Sequence, residues 1–207
     1  MVEVGYNFNN EFQDASHKYL IPQIRTCIES CINKGSVRSI LDFGCGNGSL
    51  TAYFAKIYPD INFIGVDPSP FASRYHDRNQ CKNLNFIDWE KFITGDTLSV
   101  DLVLSVEVIE HVFLPRSYVS DVEKHLKSSR SIIVTTPYHG YWKNIAISLV
   151  GGWDKHFTAL WDYGHIKFWS FRSLDLLFAE FGFTNNISLY SGRFYPLSKS
   201  IVKLYKK

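Results

Sequence analysis

The stretch Leu41-Asp42-Phe43-Gly44-Cys45-Gly46-Asn47-Gly48-Ser49-Leu50 decides the fold. It joins a short apolar run, Ser39–Phe43, to a longer amphipathic one, Ser49–Ile57, so the glycines fall where a strand turns into its helix. In an open α/β sheet this is the ligand-binding end. Glycine suits the position because a Cβ would block a tight turn or the close approach of backbone to a ligand. The spacing is GxGxG. A dinucleotide fingerprint needs glycine at position 49, where this chain has Ser49. Asp42, two residues ahead of the first glycine, is an awkward neighbour for a pyrophosphate and a good acceptor for an ammonium group. The loop points to a zwitterionic adenosine ligand.

Outward from the loop, short β-branched runs alternate with amphipathic ones, the pattern of a parallel sheet with crossover helices. Strands are expected at Ser39–Phe43, Asn62–Val66, Asn83–Ile87, Leu102–Ser105 and Ser131–Thr135. Helices are expected at about Ser49–Ile57, Pro70–Arg78 and Tyr118–Lys127. After Thr136 the alternation breaks into a long aromatic-rich excursion, Pro137–Ile166. A helix at Arg172–Phe181 and a hairpin, Asn186–Tyr190 with Ile201–Tyr205, then close the sheet with one antiparallel strand. The second strand ends in Asp67-Pro68, where a carboxylate can grip a ribose through two hydroxyls. The third ends in Asp88-Trp89, where a carboxylate beside an aromatic face can accept from an adenine amino group. Taken singly, Asp67 and Asp88 also read as helix N-caps. Three acidic strand ends in order form a composite signal.

Composition bounds the answer. The 207 residues are 45% hydrophobic and 20% charged, enough for one domain with a full core; two independent domains are not expected. Lys plus Arg number 22 against 20 for Asp plus Glu, and a net +2 is too balanced for a dedicated nucleic-acid backbone binder. Cys27, Cys31, Cys45 and Cys81 contain no CxxC pair and read as reduced thiols, which favours a cytoplasmic setting. The acidic start MVEVGYNFNNEFQD lacks the basic and apolar regions of a signal peptide, and no apolar run approaches the roughly 20 residues of a membrane span.

The series LDFGCGNGSL, IGVDPS, FIDWE and DLVLSVEVIEHVF resembles the motif series of class I S-adenosylmethionine-dependent methyltransferases, over about Ser39 to Pro137. The resemblance implies a Rossmann-like α/β fold: seven strands, mostly parallel, helices on both faces and a C-terminal antiparallel hairpin. It places the methionine part of S-adenosylmethionine near Asp42, Gly44, Cys45 and Gly46, the ribose on Asp67, and the adenine between Pro68 and the Asp88-Trp89 pair. Ser105 and Val106 contribute mostly through backbone. The expected organisation is one domain, 1–207, with an N-terminal helical lid at 1–36 and an insertion at 137–170 over the substrate cleft.

Glu107-Val108-Ile109-Glu110-His111 follows the fourth strand. On a helical turn Glu107, Glu110 and His111 share a face, and two carboxylates with an imidazole suit a divalent cation that lowers a hydroxyl's pKa. The downstream segment TTPYHGYWKNIAISLVGG with DYGHIKFWSFRSL is similar in layout to ubiquinone-pathway O-methyltransferases. The small-RNA 2′-O-methyltransferases show a similar EVIEH and a later HxKF-like segment, and that resemblance implies magnesium ligands at Glu107, Glu110, His111 and His165. Many methyltransferases without a metal also resemble this stretch, where the histidine packs or caps.

Within the excursion, Trp142, Ile145, Ala146, Leu149 and Val150 form one helical stripe within 141–152. It is expected either to cover the cleft as the protein's own lid or to make peripheral contact with a membrane. Aromatic walls favour a flat or apolar small-molecule methyl acceptor. His139, after the fifth strand, is the general-base candidate where no metal acts, with His111 beside it as a catalytic candidate. The expected activity is methyl transfer to a hydroxyl oxygen. A non-catalytic cofactor-binding partner protein and an RNA-end 2′-O-methyltransferase are the competing readings; the latter requires a basic groove.

Overall fold

A computed structural model describes residues 16–34, 37–157 and 159–207. They form a seven-stranded sheet in the order β3-β2-β1-β4-β5-β7-β6. The strands are β1 (Ser39–Phe43), β2 (Asn62–Val66), β3 (Leu84–Ile87), β4 (Val100–Val106), β5 (Leu126–Pro137), β6 (Thr184–Ser191) and β7 (Ser200–Lys206). β7 alone runs antiparallel to its neighbours, lying between β5 and β6. The remaining pairings are parallel.

Central strands bury both faces, so their residues alternate between two cores. Leu41, Val103, Ile132, Val134 and Tyr205 face one core with α5 (Pro115–Glu123) and α8 (Phe171–Ala179). Ile40, Leu102, Leu104, Ile133 and Leu204 face the other, with α1 (His17–Lys34) and α2 (Ser49–Ile57). Most of α1 is a sheet-covering helix: Leu20, Ile24, Cys27 and Ile28 are buried, and only its first turn reaches the cleft. The rest of the expected N-terminal lid, residues 1–15 and 35–36, lies outside the described residues.

Two expected helices differ from those observed, and the one after β3 was not foreseen. Pro70–Arg78 breaks into α3 (Pro70–Ser73) and a 3-10 turn at His76–Asn79, because the His76 ring is drawn beneath the glycine loop. Pro115 starts α5 early, and the backbone joins β5 by Leu126. A short α4 (Trp89–Thr94) follows β3, capped by the Asp88 carboxylate, which accepts from the Glu90 and Lys91 N–H groups. In the excursion stand α6 (Tyr141–Leu149) and α7 (Trp153–Phe157).

Asn83 ties α2 to the β2–β3 layer: its side-chain amide donates to the carbonyls of Ala55, Tyr58 and Ile61 at 2.9, 3.1 and 2.8 Å. These close the end of α2 and the turn into β2. Asn83→Ala is expected to lower unfolding free energy by about 1–3 kcal/mol, the range for stranding buried partners, with far-UV circular dichroism unchanged. Urea denaturation checks it.

Candidate active site

β1 and β4 are neighbours from which the chain departs to opposite sides, β1 towards β2 and β4 towards β5. Such a reversal opens a crevice at the carboxyl ends of the strands. A cavity of about 850 Å³ lies there. Its lining comes from the ends of β1, β2, β4 and β5 as Asp42, Asp67, Val106 and Pro137, and from Ser200 at the start of the antiparallel β7.

The glycine loop is built by backbone geometry. The N–H groups of Gly44 and Cys45 both donate to Val66 O, at 2.8 and 3.0 Å, folding the loop over the end of β2. Gly44 has φ 84°, and a Cβ there would stand 2.5 Å from Val108 Cγ2. Gly48 has φ 79°, with Phe86 Cζ 2.4 Å from where a Cβ would be. No larger residue fits either position. His76 supports the loop from below: Nε2 sits 2.9 Å from Gly46 O while the ring stacks on Phe86 at 4.0 Å.

The cavity floor is acidic. Asp67 accepts from the N–H groups of Gly46 and Ser69, both at 2.8 Å, and burial still pushes its carboxyl up to about 6. Asp42 is 1% exposed; Thr51 Oγ1 donates to its Oδ2 at 2.6 Å, and its Oδ1 has no partner. Burial, with Asp67 adding to it, raises Asp42 to about 7.

At the opposite end the EVIEH segment is not one helical face. Glu107 adopts φ 54°, after which a 3-10 turn covers Ile109–His111. The Glu107 carboxylate is therefore held apart, accepting from Thr135 Oγ1 at 3.0 Å and Ser200 Oγ at 3.4 Å. Burial raises Glu107 to about 7. Glu110, His111 and His165 do converge, each offering an atom within 4.8 Å of the others. Glu110 is 1% exposed; Thr136 Oγ1 donates to its Oε2 at 3.0 Å, while Oε1 is unpartnered and 4.0 Å from His165 Nε2. Burial, and then Glu107, hold Glu110 well above the ordinary carboxylate range. The Glu110 carbonyl accepts from the N–H groups of Ile166 and Lys167 at 2.9 and 3.0 Å, which brings the His165 loop to the turn. His111 Nδ1 sits 2.8 Å from Tyr163 O, so in the neutral ring Nδ1 carries the proton and Nε2 the lone pair. Burial lowers His111 below 6.5 and His165 to about 4.

Gly44, Cys45, Gly46, Asp67, Pro68 and Val106 line the cavity with Asp42, Glu107, His111 and His165. Other expected residues do not. Asp88 is exposed and spends its carboxylate as the cap of α4, while Trp89 packs edge-on against Phe43 at 6.1 Å. Ser105 is buried, its hydroxyl donating to Phe43 O at 3.0 Å. His139 is turned away between Phe157 and Phe168, at 5.5 and 4.9 Å, because its N–H pairs with Trp169 O beyond the end of β5. Burial and Lys143 lower it to about 4. It is not among the residues that line the cavity. Sequence reasoning missed His76, Thr51, Lys199 and Ser200; only Ser200, beside the expected last strand, had a signal that its strand end would reach the crevice.

A family model described as a methyltransferase domain matches residues 16–188. The chain belongs to that family, and its sheet and cleft are those of a class I S-adenosylmethionine-dependent methyltransferase domain. A curated relative, ubiquinone biosynthesis O-methyltransferase of Rhodopseudomonas palustris (strain TIE-1), is 29% identical over 131 residues, 59% of this chain and 51% of its own. The chain thus matches about half the length of such relatives. Among solved structures, a S-adenosylmethionine-dependent methyltransferase from Anabaena variabilis ATCC 29413 superposes with TM-score 0.66 at 14% identity, covering 93% of this chain and 85% of that one. Magnesium protoporphyrin IX methyltransferase from Synechocystis PCC 6803, with bound S-adenosylhomocysteine, gives 0.61 at 15% identity, over 90% and 84%.

Asp42 makes a signed prediction. Its folded pKa of about 7 exceeds the ordinary 3.8, so the folded state binds the extra proton and its stability falls as pH rises between those values. Ionised and without a cation, Asp42 leaves the protein on the order of 4 kcal/mol less stable than when protonated. The buried histidines, lowered in the fold, tilt the opposite way, so the comparison is between Asp42→Asn and the parent at each pH. The variant's relative stability should increase from about pH 4 to about pH 7. A constant difference in urea midpoints across that range would refute it.

Proposed function

We propose that this chain transfers the methyl group of S-adenosylmethionine to a hydroxyl oxygen of a small, flat or apolar acceptor. The observation that carries the reading is one continuous cavity with an acidic floor at the glycine loop and an aromatic, histidine-bearing wall of His111, Trp161, Tyr163 and His165 at the other end. A zwitterionic cofactor fits the first end. The unpartnered Oδ1 of Asp42 accepts its ammonium, the backbone of Gly44 to Gly46 cradles the amino-acid part, Asp67 takes the ribose hydroxyls, and Pro68 flanks the adenine. When bound, the cofactor supplies an activated methyl on a cationic sulfur; the methyl–sulfur bond breaks, sulfur keeps the electron pair, and the acceptor oxygen bonds the methyl.

This chain's residues then supply alignment and a proton acceptor. Holding acceptor oxygen, methyl and sulfur in line provides much of the rate. The aromatic wall excludes water and holds a ring. His111, neutral at pH 7 with Nε2 as its lone-pair nitrogen, receives the acceptor's proton. The curated relatives' printed name supports oxygen as the methylated atom. An open cavity of about 850 Å³ favours an enzyme over a non-catalytic partner, whose cleft would be filled. The balanced charge of +2 gives no support to an RNA-end substrate.

A second reading has its own observation. The unpartnered Oε1 of Glu110, beside His111 and His165, is a donor set suited to a divalent cation such as magnesium, with His111 oriented by the Tyr163 carbonyl. A cation held there would polarise the acceptor hydroxyl. Glu107, tied to Thr135 and Ser200, stands apart from the three.

Calorimetric titration with S-adenosylhomocysteine tests the cofactor end: Asp67→Ala should weaken binding by about 100-fold, as expected for two lost hydrogen bonds to a charged group. Unchanged affinity would remove Asp67 from the ribose. The acceptor end is tested by incubating the protein with S-adenosylmethionine and a panel of phenols and identifying products by mass spectrometry. A methyl ether, lost in His111→Ala, is the expected product; methylation only at nitrogen or carbon sinks the oxygen assignment. Loss of activity in excess chelator with recovery on magnesium supports the cation, and full activity in chelator rejects it.

A further inference from the structure

We propose that Lys199 selects the methyl acceptor by charge: the acceptor carries one anionic group, a carboxylate, which the Lys199 ammonium binds while the hydroxyl lies at the methyl. The inference rests on the methyl transfer proposed above and adds the acceptor's class. Among the described residues, Lys199 is the one lysine or arginine in the cavity lining. It stands directly before Ser200, the first residue of β7. The strand order runs from β1 through β4 and β5 to β7, and neighbouring strands lie about 4.8 Å apart, so roughly 14 Å of strand spacing separates Lys199 from the end of β1. Asp42 and Asp67 thus hold one end of the cavity and Lys199 the other.

The side chain is held in place along its whole length. Its backbone is pinned on both sides: the Lys199 N–H donates to Ser191 O at 2.9 Å, and its carbonyl accepts from the Tyr138 N–H at 2.9 Å and from Lys143 Nζ at 3.4 Å. Its stem runs over Gly192, where a Cβ would stand 2.8 Å from Lys199 Cβ and 3.0 Å from Cγ and Cδ. Gly192, at φ 88°, leaves the space that the stem occupies. The head rests over Tyr19, with Nζ 5.0 Å from the ring centroid, and Tyr19 lines the same cavity. An aromatic face orients an ammonium without neutralising it.

Charge selects the ligand. The Lys199 ammonium has no carboxylate partner among the described residues, whereas Lys124, Lys127, Lys203 and Lys207 are each paired. The acid on the same wall is engaged elsewhere: Glu107 accepts from Thr135 and Ser200, and Lys143 is the lysine whose charge acts on it. α1, which brings Ser16, His17 and Tyr19 to the lining, carries no acid in its first turn. The cofactor's own carboxylate, in the reading above, lies with its ammonium at Gly44 to Gly46, by the other end. An unneutralised cation in a cavity wall therefore awaits an anion from the acceptor. One ammonium balances one negative charge, and a phosphate dianion would bring a surplus to a wall that also holds Glu107, so a carboxylate is the class that fits.

The test uses the full chain saturated with S-adenosylhomocysteine and titrated calorimetrically with para-hydroxyphenylacetate and with its primary amide. The carboxylate should bind about tenfold tighter or better, as expected for a charge-assisted hydrogen bond. Lys199→Gln should remove that preference, Lys199→Arg should keep most of it, and Lys199→Glu should turn it towards tyramine, which carries the opposite charge on the same ring. With S-adenosylmethionine the preference should appear in KM rather than kcat, since Lys199 touches no reacting atom. Equal binding of acid and amide, no binding of the acid, or a preference that survives in Lys199→Gln overturns the proposal. So does a loss of S-adenosylhomocysteine affinity of about tenfold in Lys199→Gln, which would give the lysine to the cofactor's carboxylate. Binding of the acid that depends on Lys199 but leads to no methyl transfer would support this site and remove the proposed reaction instead.

Discussion

Two adjacent parallel strands whose chain leaves in opposite directions set the constraint that the rest of this structure obeys. Between β1 and β4 no crossover can cover the carboxyl ends, because one connection goes towards β2 and the other towards β5. The candidate site lies at that opening. The glycine loop closes one wall by hanging two N–H groups on Val66 O, and the turn after β4 closes the other. Since β7 runs antiparallel, its first residue rather than its last reaches the same end, which is why Ser200 meets Glu107 across 93 positions of sequence.

The opening concentrates buried carboxylates; among the described residues Lys199 is the lysine that lines it, and Lys143 acts on Glu107. Asp42, Asp67 and Glu107 line the cavity, Glu110 is buried beside His111 and His165, and burial raises each of the four carboxyls. Across from Glu110, burial pushes His165 the other way, to about 4. Both shifts favour neutral forms: a protonated carboxyl facing a neutral imidazole in place of an ion pair. A ligand carrying positive charge is drawn to such a floor because it supplies the missing partner. An ammonium at Asp42 and a cationic sulfur further along satisfy that condition, whereas a pyrophosphate would add to the repulsion.

The core of this arrangement was legible in the residue order because it is local. β1 and β2 coincide with the runs Ser39–Phe43 and Asn62–Val66, since a central parallel strand is a bounded apolar run with little room for ambiguity. The GxGxG spacing and Asp67 were readable for the same reason: loop and strand end are fixed within a few residues of each other. What failed depends on distant partners. Asp88 reads equally as an adenine ligand and as an N-cap, and α4 makes it the cap. His139 lies two residues beyond β5's last pair, and a backbone bond to Trp169, thirty positions on, decides where its ring points. Glu107 left the face it was expected to share because its left-handed φ precedes a 3-10 turn, a geometry that helical spacing does not foresee. The periodic stripe of α6 was likewise correct as a pattern and silent about direction: periodicity shows that a face exists, not which side of it the protein occupies.

That last distinction separates two kinds of order here. The sheet and its two helical layers are specified by burial, with Ile40, Leu102, Leu104 and Val202 fully enclosed, so their geometry follows from excluding water. The excursion is specified by polar attachments instead. Lys143 on the Tyr138 carbonyl, His111 on the Tyr163 carbonyl, and the Ile166 and Lys167 N–H groups on the Glu110 carbonyl tie it to the strand ends at a few points. Tethering through backbone carbonyls leaves the aromatic side chains between those points uncommitted to the core. Trp161 and Tyr163 are then available to wall the cleft. A segment held by burial would have spent those rings on its own stability.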